Sequence, residues 1–229
     1  MSQILAVTLP MLPLTIAPEF KSKIPNVVVG RITASVRNSQ HDEALWQEIE
    51  AVAVRFRGVA LDEARKSPPI KALRDAYRAL GNDPTRCRGS NEALVRRISQ
   101  GKDLHRVNTV ADINNLVSLQ TLHSAGTFDL DRVQPPIIFR VGQPGEVYAG
   151  IGRGEIKIEG LPVFADQAGP FGSTTSDSER TMVQLDTTRI MTVIISFLGT
   201  EGMDVALQRV AGLLARYAAA TGIETGVVA

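Results

Sequence analysis

Cysteine is almost absent: Cys87 is the one thiol among 229 residues. A single thiol excludes an internal disulfide framework and a cysteine-based zinc cluster. Histidine is scarce too. His41, His105 and His123 follow no HExxH or other ligand spacing, and none has a readable relation to Cys87. Neither a metal site nor a cysteine nucleophile is therefore read from the sequence, and no cofactor is expected. No apolar run approaches the roughly 20 residues of a membrane span. The first 16 residues are apolar, but they lack a basic leader segment and are interrupted by Pro10 and Pro13. No signal or anchor is recognised, so a cytoplasmic location is expected. The Gly150–Gly154 stretch lacks the Gly-Lys-Ser/Thr ending of a phosphate-binding loop and reads as a tight hairpin. Neither Ser173 nor Ser196 lies in a GxSxG elbow, which removes the usual serine-hydrolase signature.

What the chain has is enough apolar residue to fill a core. Hydrophobic residues make up 44% and charged residues 21%, with 19 Gly and 12 Pro. This composition fits one generous globular domain over residues 1–229. The β-branched run Asn26 to Val36 predicts a buried strand. Leu45, Ile49, Val52 and Phe56 recur at helical spacing between His41 and Phe56, with Asp42, Glu43 and Glu48 toward the helix start. Pro68-Pro69 opens another helix, striped by Ile70, Leu73, Tyr77 and Leu80 and stopped at Gly81. Ser90 is expected to cap a short helix ending at Gly101, and Asp112 to cap one running to about Leu122. Four strands are expected next: Pro136 to Val141, Glu146 to Ile151, Thr181 to Leu185 and Ile190 to Phe197. Ala168 to Asp177 reads as an irregular, mobile loop. A last helix from Met203 to about Ala220 is expected to pack on a sheet. The order predicts an α+β fold, not a regular βαβ alternation.

Charge is unevenly placed. Between Lys71 and Arg106 stand nine basic and four acidic residues, an excess of +5; from Gly150 onward six basic and nine acidic residues leave −3. The basic stretch reads either as a site for a local anionic partner or as a solvated helix face. Within it, Arg86 and Arg88 precede a helix start and Arg96 and Arg97 lie inside that helix. A helix start offers free N–H groups and the positive dipole end, and arginine adds bidentate phosphate contacts. The second constellation is Asn108, Asp112, Asn114 and Asn115. These short polar residues either cap a helix or line a polar pocket, because buried polar groups need partners.

Two ordered signatures carry a resemblance. Leu73 to Arg97 looks like G-x-x-P-x-R-x-R-x-S-x-E-A-L through Gly81, Pro84, Arg86, Arg88, Ser90, Glu92, Ala93 and Leu94. Asn108 to Leu119 looks like N-x-x-V-D-x-x-N-x-x-S-L, and Phe128-Asp129-Leu130-Asp131 like the F-D-L-D that follows it. Together they resemble the B3/4 domain, the tRNA-editing domain of the phenylalanyl-tRNA synthetase beta subunit, and its free-standing relatives. The resemblance covers residues 73–197 best and residues 1–70 less well. It implies a central mixed sheet flanked by helices, and hydrolysis of a wrongly attached amino acid from the tRNA 3′ end. Aminoacylation is not expected at this length. By the resemblance, Asn115 falls on the pocket asparagine, Asn114 stands where a threonine is common, and Glu179 matches the pocket glutamate with Asp177 competing. Asn115, Asn114 and Glu179 are therefore the expected catalytic set, and Asn108, Asp112 and Gly126 the expected substrate-binding set. Arg86, Arg88, Arg96, Arg97 and Lys102 are the expected contacts to tRNA. Gly126 stands where synthetase domains usually carry histidine. That substitution leaves open a pocket that selects a different amino acid, hydrolyses less efficiently or only binds; a partner-binding domain whose asparagines are caps is the third reading.

Overall fold

The computed structural model describes residues 11–229. Most of the apolar N-terminal run lies outside these, in residues 1–10. The elements in chain order begin with β1 (Leu14–Ile16), α1 (Pro18–Lys23), β2 (Val28–Ser35) and α2 (Glu43–Ala53). The helices α3 (Leu61–Ala64), α4 (Pro68–Ala79), α5 (Ser90–Ser99) and α6 (Thr109–Thr121) follow. A run of strands comes next: β3 (Ser124–Asp129), β4 (Ile137–Val141), β5 (Val147–Gly150), β6 (Gly154–Lys157), β7 (Pro162–Asp166), β8 (Gly169–Ser173) and β9 (Arg189–Ser196). The described chain closes with α7 (Met203–Tyr217) and β10 (Thr221–Val228). The fold is α+β.

Two four-stranded sheets form, one of them mixed as expected. The order β10-β2-β9-β3 is antiparallel throughout, and the mixed sheet β1-β4-β7-β8 has β1 parallel to β4. The alternation of a strand explains how both faces of the first sheet are used. On β9, Ile190 and Ile194 point into one core with α2, α5, α6 and α7. Met191, Val193 and Ile195 point into the other, with α4 and the mixed sheet. Six of the seven phenylalanines sit in that second core. Phe139 stacks on Phe164 at 4.3 Å, and Phe128 meets Phe171 edge-on at 4.9 Å. A Cβ at Gly30 on β2 would lie 2.2 Å from the Met203 sulfur of α7, so a larger residue there would have to displace the Met203 side chain.

Several local expectations change. The cap of α6 is Asn108, whose Oδ1 accepts from Ala111 N at 2.9 Å. Asp112 lies inside that helix, buried, and its carboxylate accepts from Trp46 Nε1 at 2.7 Å and Val107 N at 3.2 Å. Gly89 holds the N-cap position of α5, and Ser90 is the first helical residue. Thr181 to Leu185 does not form a strand. A short 3-10 turn spans Glu179–Thr181, and only Met182 bridges to Phe128. Gln184 N instead bonds Thr187 Oγ1 at 2.9 Å, closing a turn. The Ala168–Asp177 segment carries β8, and Thr174 within it is fully buried. The final helix stops at Tyr217 and gives way to β10.

Candidate functional site

A cleft of about 400 Å³ opens between α5, α6, the start of β3 and the β5–β6 hairpin. Asn114, Asn115 and Ser118 come from α6, and Ser90, Ala93, Leu94, Arg96 and Arg97 from α5. Arg88, Lys102 and Arg153 complete a ring of five cations, and no aspartate or glutamate lines the cleft. Such a ring focuses a positive potential into a low-dielectric recess and draws anions toward it.

The helix α6 brings Asn114, Asn115 and Ser118 to one side because three- and four-residue spacings share a helix face. The two asparagines differ in use. Asn114 Nδ2 donates to the Ala125 carbonyl at 3.3 Å, and its Oδ1 accepts from Thr127 Oγ1 at 3.2 Å. Both ends of that amide are committed to β3. Asn115 lines the cleft with an amide that has no hydrogen-bond partner among the described residues. Ser90 Oγ, Ser118 Oγ and Arg88 Nε are also shielded from solvent without a hydrogen bond. All three belong to residues lining the cleft.

Behind the α5 wall lies Glu92, 1% exposed. Its carboxylate accepts from Arg65 Nε at 2.9 Å and from the Arg74 guanidinium at 2.9 and 3.1 Å, and Arg88 Nε stands 3.5 Å away. A buried carboxylate needs such partners, and three guanidinium groups over one carboxylate leave a surplus of positive charge at the wall. The +5 stretch is thus partly spent inside the protein. Lys71 and Arg78 pair with Asp75 on the surface, and Arg97 Nε donates to the Asp103 carbonyl. Arg96, Lys102 and Arg153 form no ion pair among the described residues.

Other expected site residues lie elsewhere. Asn108 and Asp112 do not line the cleft: one caps α6 and reaches the Val183 carbonyl, and the other supports Trp46. Arg86 is exposed and stands 3.9 Å from Asp83. Glu179 is exposed on its 3-10 turn, outside the cleft lining. Gly126 lies on β3 beside the cleft residue Ala125 and is filled over by Asp177. A Cβ on Gly126 would lie 3.1 and 3.4 Å from the Asp177 carboxylate oxygens. Burial pushes the Asp177 carboxyl up to about 7, opposed by a hydrogen bond from the Ser173 backbone N–H.

Ser118, Thr175 and Arg153 line the cleft but had no expected role, and Ser90 was expected only as a helix cap. Ser118 carried a signal, being a polar residue within the buried stripe of α6. Arg153 had none, since it reaches the site only through the hairpin pairing of Gly150 with Gly154.

With this geometry in place, the comparisons with known proteins are informative. A model of the B3/4 domain matches residues 72–218, more than half of the chain. The chain belongs to the B3/4 domain family. A solved N-terminal fragment of the phenylalanyl-tRNA synthetase beta subunit from Pyrococcus horikoshii is similar in fold, with a TM-score of 0.52 at 17% identity. The superposition covers 95% of this chain and 51% of that one, so the chain spans about half the length of that structure. No curated protein sequence matches. The B3/4 match takes in α5, α6 and β3 and therefore the whole cleft, whereas β2 and α2 precede it. No helix among the described residues is long and apolar enough to cross a membrane.

Proposed function

We propose that this B3/4 domain binds the aminoacylated 3′ end of tRNA in the cleft and hydrolyses the ester of a wrongly attached amino acid. The observation that carries the reading is the cationic, carboxylate-free cleft around the unpartnered Asn115 amide. Arg96, Lys102 and Arg153 suit the phosphates of the tRNA end, and Arg88 is steadied for the same work by Glu92. A water molecule is the nucleophile. The Asn115 amide oxygen accepts a hydrogen bond from that water and directs its lone pair at the ester carbonyl, and the amide N–H₂ offers donors to the developing oxyanion. Collapse of the tetrahedral intermediate breaks the bond to the ribose oxygen, which leaves with a proton, and frees the amino acid. Because the asparagine amide does not titrate near neutral pH, rate support comes from position and not from general-base strength. Asn114, bound at both ends to β3, holds the helix face in register and positions its neighbour.

A second reading is a binding module without turnover, favoured by Gly126 with Asp177 filling the space beside it. Incubation of the protein with a panel of correctly and wrongly charged tRNAs separates the two. Release of amino acid that is lost in Asn115→Ala supports hydrolysis. Salt-sensitive tRNA binding with no release supports the binding module.

A further inference from the structure

A second hollow, of about 280 Å³, lies beside the cleft. Lys102 lines both, so the two meet at the loop that follows α5. Two backbone bonds fold that loop against its helix. Gly101 N donates to the Ile98 carbonyl at 2.9 Å, and Lys102 N to the Arg97 carbonyl at 3.1 Å. The facing wall comes from α2 and the residues just after it, through Glu50, Ala53 and Arg57.

The hollow and the cleft differ in chemistry. The cleft carries five cations and no carboxylate. In the hollow, Arg57 and Lys102 are balanced by Glu50 and Asp103, and the apolar floor is made of Ala53, Ile98 and Leu104. A neutral recess does not concentrate phosphate. An apolar floor below a few polar groups suits a flat, uncharged ring with hydrogen-bonding edges. A nucleobase is such a ring. The polar rim is open to solvent: Lys102 is exposed, and the Glu50 and Arg57 side chains keep 42% and 55% of their surface. Arg57 Nη2 donates to Glu50 Oε2 at 2.6 Å, while Glu50 Oε1 accepts no hydrogen bond among the described residues. The guanidinium therefore steadies a carboxylate whose second oxygen is free to accept.

We propose that this hollow is a base subsite for single-stranded RNA. It takes the base of the nucleotide next to the one held in the cleft, with Lys102 beside the phosphate that joins them. It favours a base carrying an exocyclic amino group. This rests on the reading that the cleft holds the 3′ end of tRNA. The preference follows from the free Glu50 oxygen. A carboxylate accepts a hydrogen bond from the amino group of cytosine or adenine, whereas uracil presents a carbonyl oxygen at that position, an acceptor facing an acceptor.

The test measures binding of the full chain to labelled hexacytidylate and hexauridylate, with uncharged tRNA in parallel. Hexacytidylate is expected to bind at least about fivefold tighter than hexauridylate. Glu50→Ala is expected to bring that ratio close to one, with the affinity for hexauridylate nearly unchanged, and Arg57→Ala to narrow it by freeing the carboxylate to move. Both residues are solvent-exposed, and thermal melts check that each variant is folded. Equal binding of the two oligonucleotides, or a ratio that survives Glu50→Ala, overturns the base subsite. If that binding is still salt-sensitive and weakened by Arg96→Ala, the reading of the cleft stands without it. Absence of binding to both oligonucleotides and to tRNA overturns the subsite and the cleft reading together.

Discussion

At the scale of single residues, the two neighbouring asparagines divide their work: Ala125 and Thr127 of β3 take both ends of the Asn114 amide and leave that of Asn115 to the cleft. Asp177 is the other residue whose behaviour is set by the fold. Its carboxyl titrates near 7 in the folded protein, against an ordinary carboxylate value of about 3.9 in the unfolded chain. Between those values the folded state holds a proton that the unfolded state has released. Stability therefore falls as pH rises through that window and is lowest above it. Asp177→Asn stays neutral at every pH, so its stability relative to the natural protein is expected to be greater at pH 8 than at pH 4. Thermal melts at the two values check this, and an equal difference at both would contradict the assignment.

In the two four-stranded sheets most strands were legible according to where they sit, and β5 of the separate β5–β6 hairpin was legible as well. The strands β2, β9 and β4, flanked on both sides in their sheets, were expected from β-branched runs. The edge strands β1, β3, β8 and β10 were not. An edge strand tolerates residues that mask the pattern, since half of its backbone groups need no ladder partner. Gly169, Pro170 and Gly172 in β8 illustrate the point. The central strand β7 was also missed, with Pro162 at its first position. Helix starts were misassigned, by four residues at α6 and by one at α5, because Asn108 and Gly89 take the cap positions expected for Asp112 and Ser90. Asn108→Ala is accordingly expected to lower stability by about 1 kcal/mol through loss of the α6 cap, read by urea denaturation. At the cleft mouth, Arg96, Lys102 and Arg153 come from a helix, a loop and a hairpin. Each substitution to alanine is expected to weaken tRNA binding and to reduce the slope of log affinity against log salt by about 1. A slope unchanged in all three variants would remove the cleft mouth from the binding surface.

At the scale of the whole molecule, two cores share one antiparallel sheet, and the cleft is walled by α5 and α6 with the β5–β6 hairpin and the segment after β8 at its rim. The phenylalanine core lies across the sheet from it. Phe164→Ala is expected to cost about 3–5 kcal/mol, because Phe164 is 1% exposed and touches Phe128, Phe139 and Phe171. The α+β class and the family signatures were readable because they rest on short contiguous segments. The cleft was only half readable, since Thr175 is brought to α5 by the bond from Ser90 N to the Thr174 carbonyl, and the hairpin of Arg153 is tied in by Ile151 N donating to the Asp177 carbonyl, both contacts distant in sequence. The central claim is that this cleft orients water on an aminoacyl ester through Asn115. It is tested most directly by single-turnover release of amino acid from mischarged tRNA, comparing the natural protein with Asn115→Ala while tRNA affinity is measured in parallel. The account predicts a loss of rate of about 100-fold or more with affinity changed only slightly. Equal rates in the two proteins, or no release by either, would contradict it.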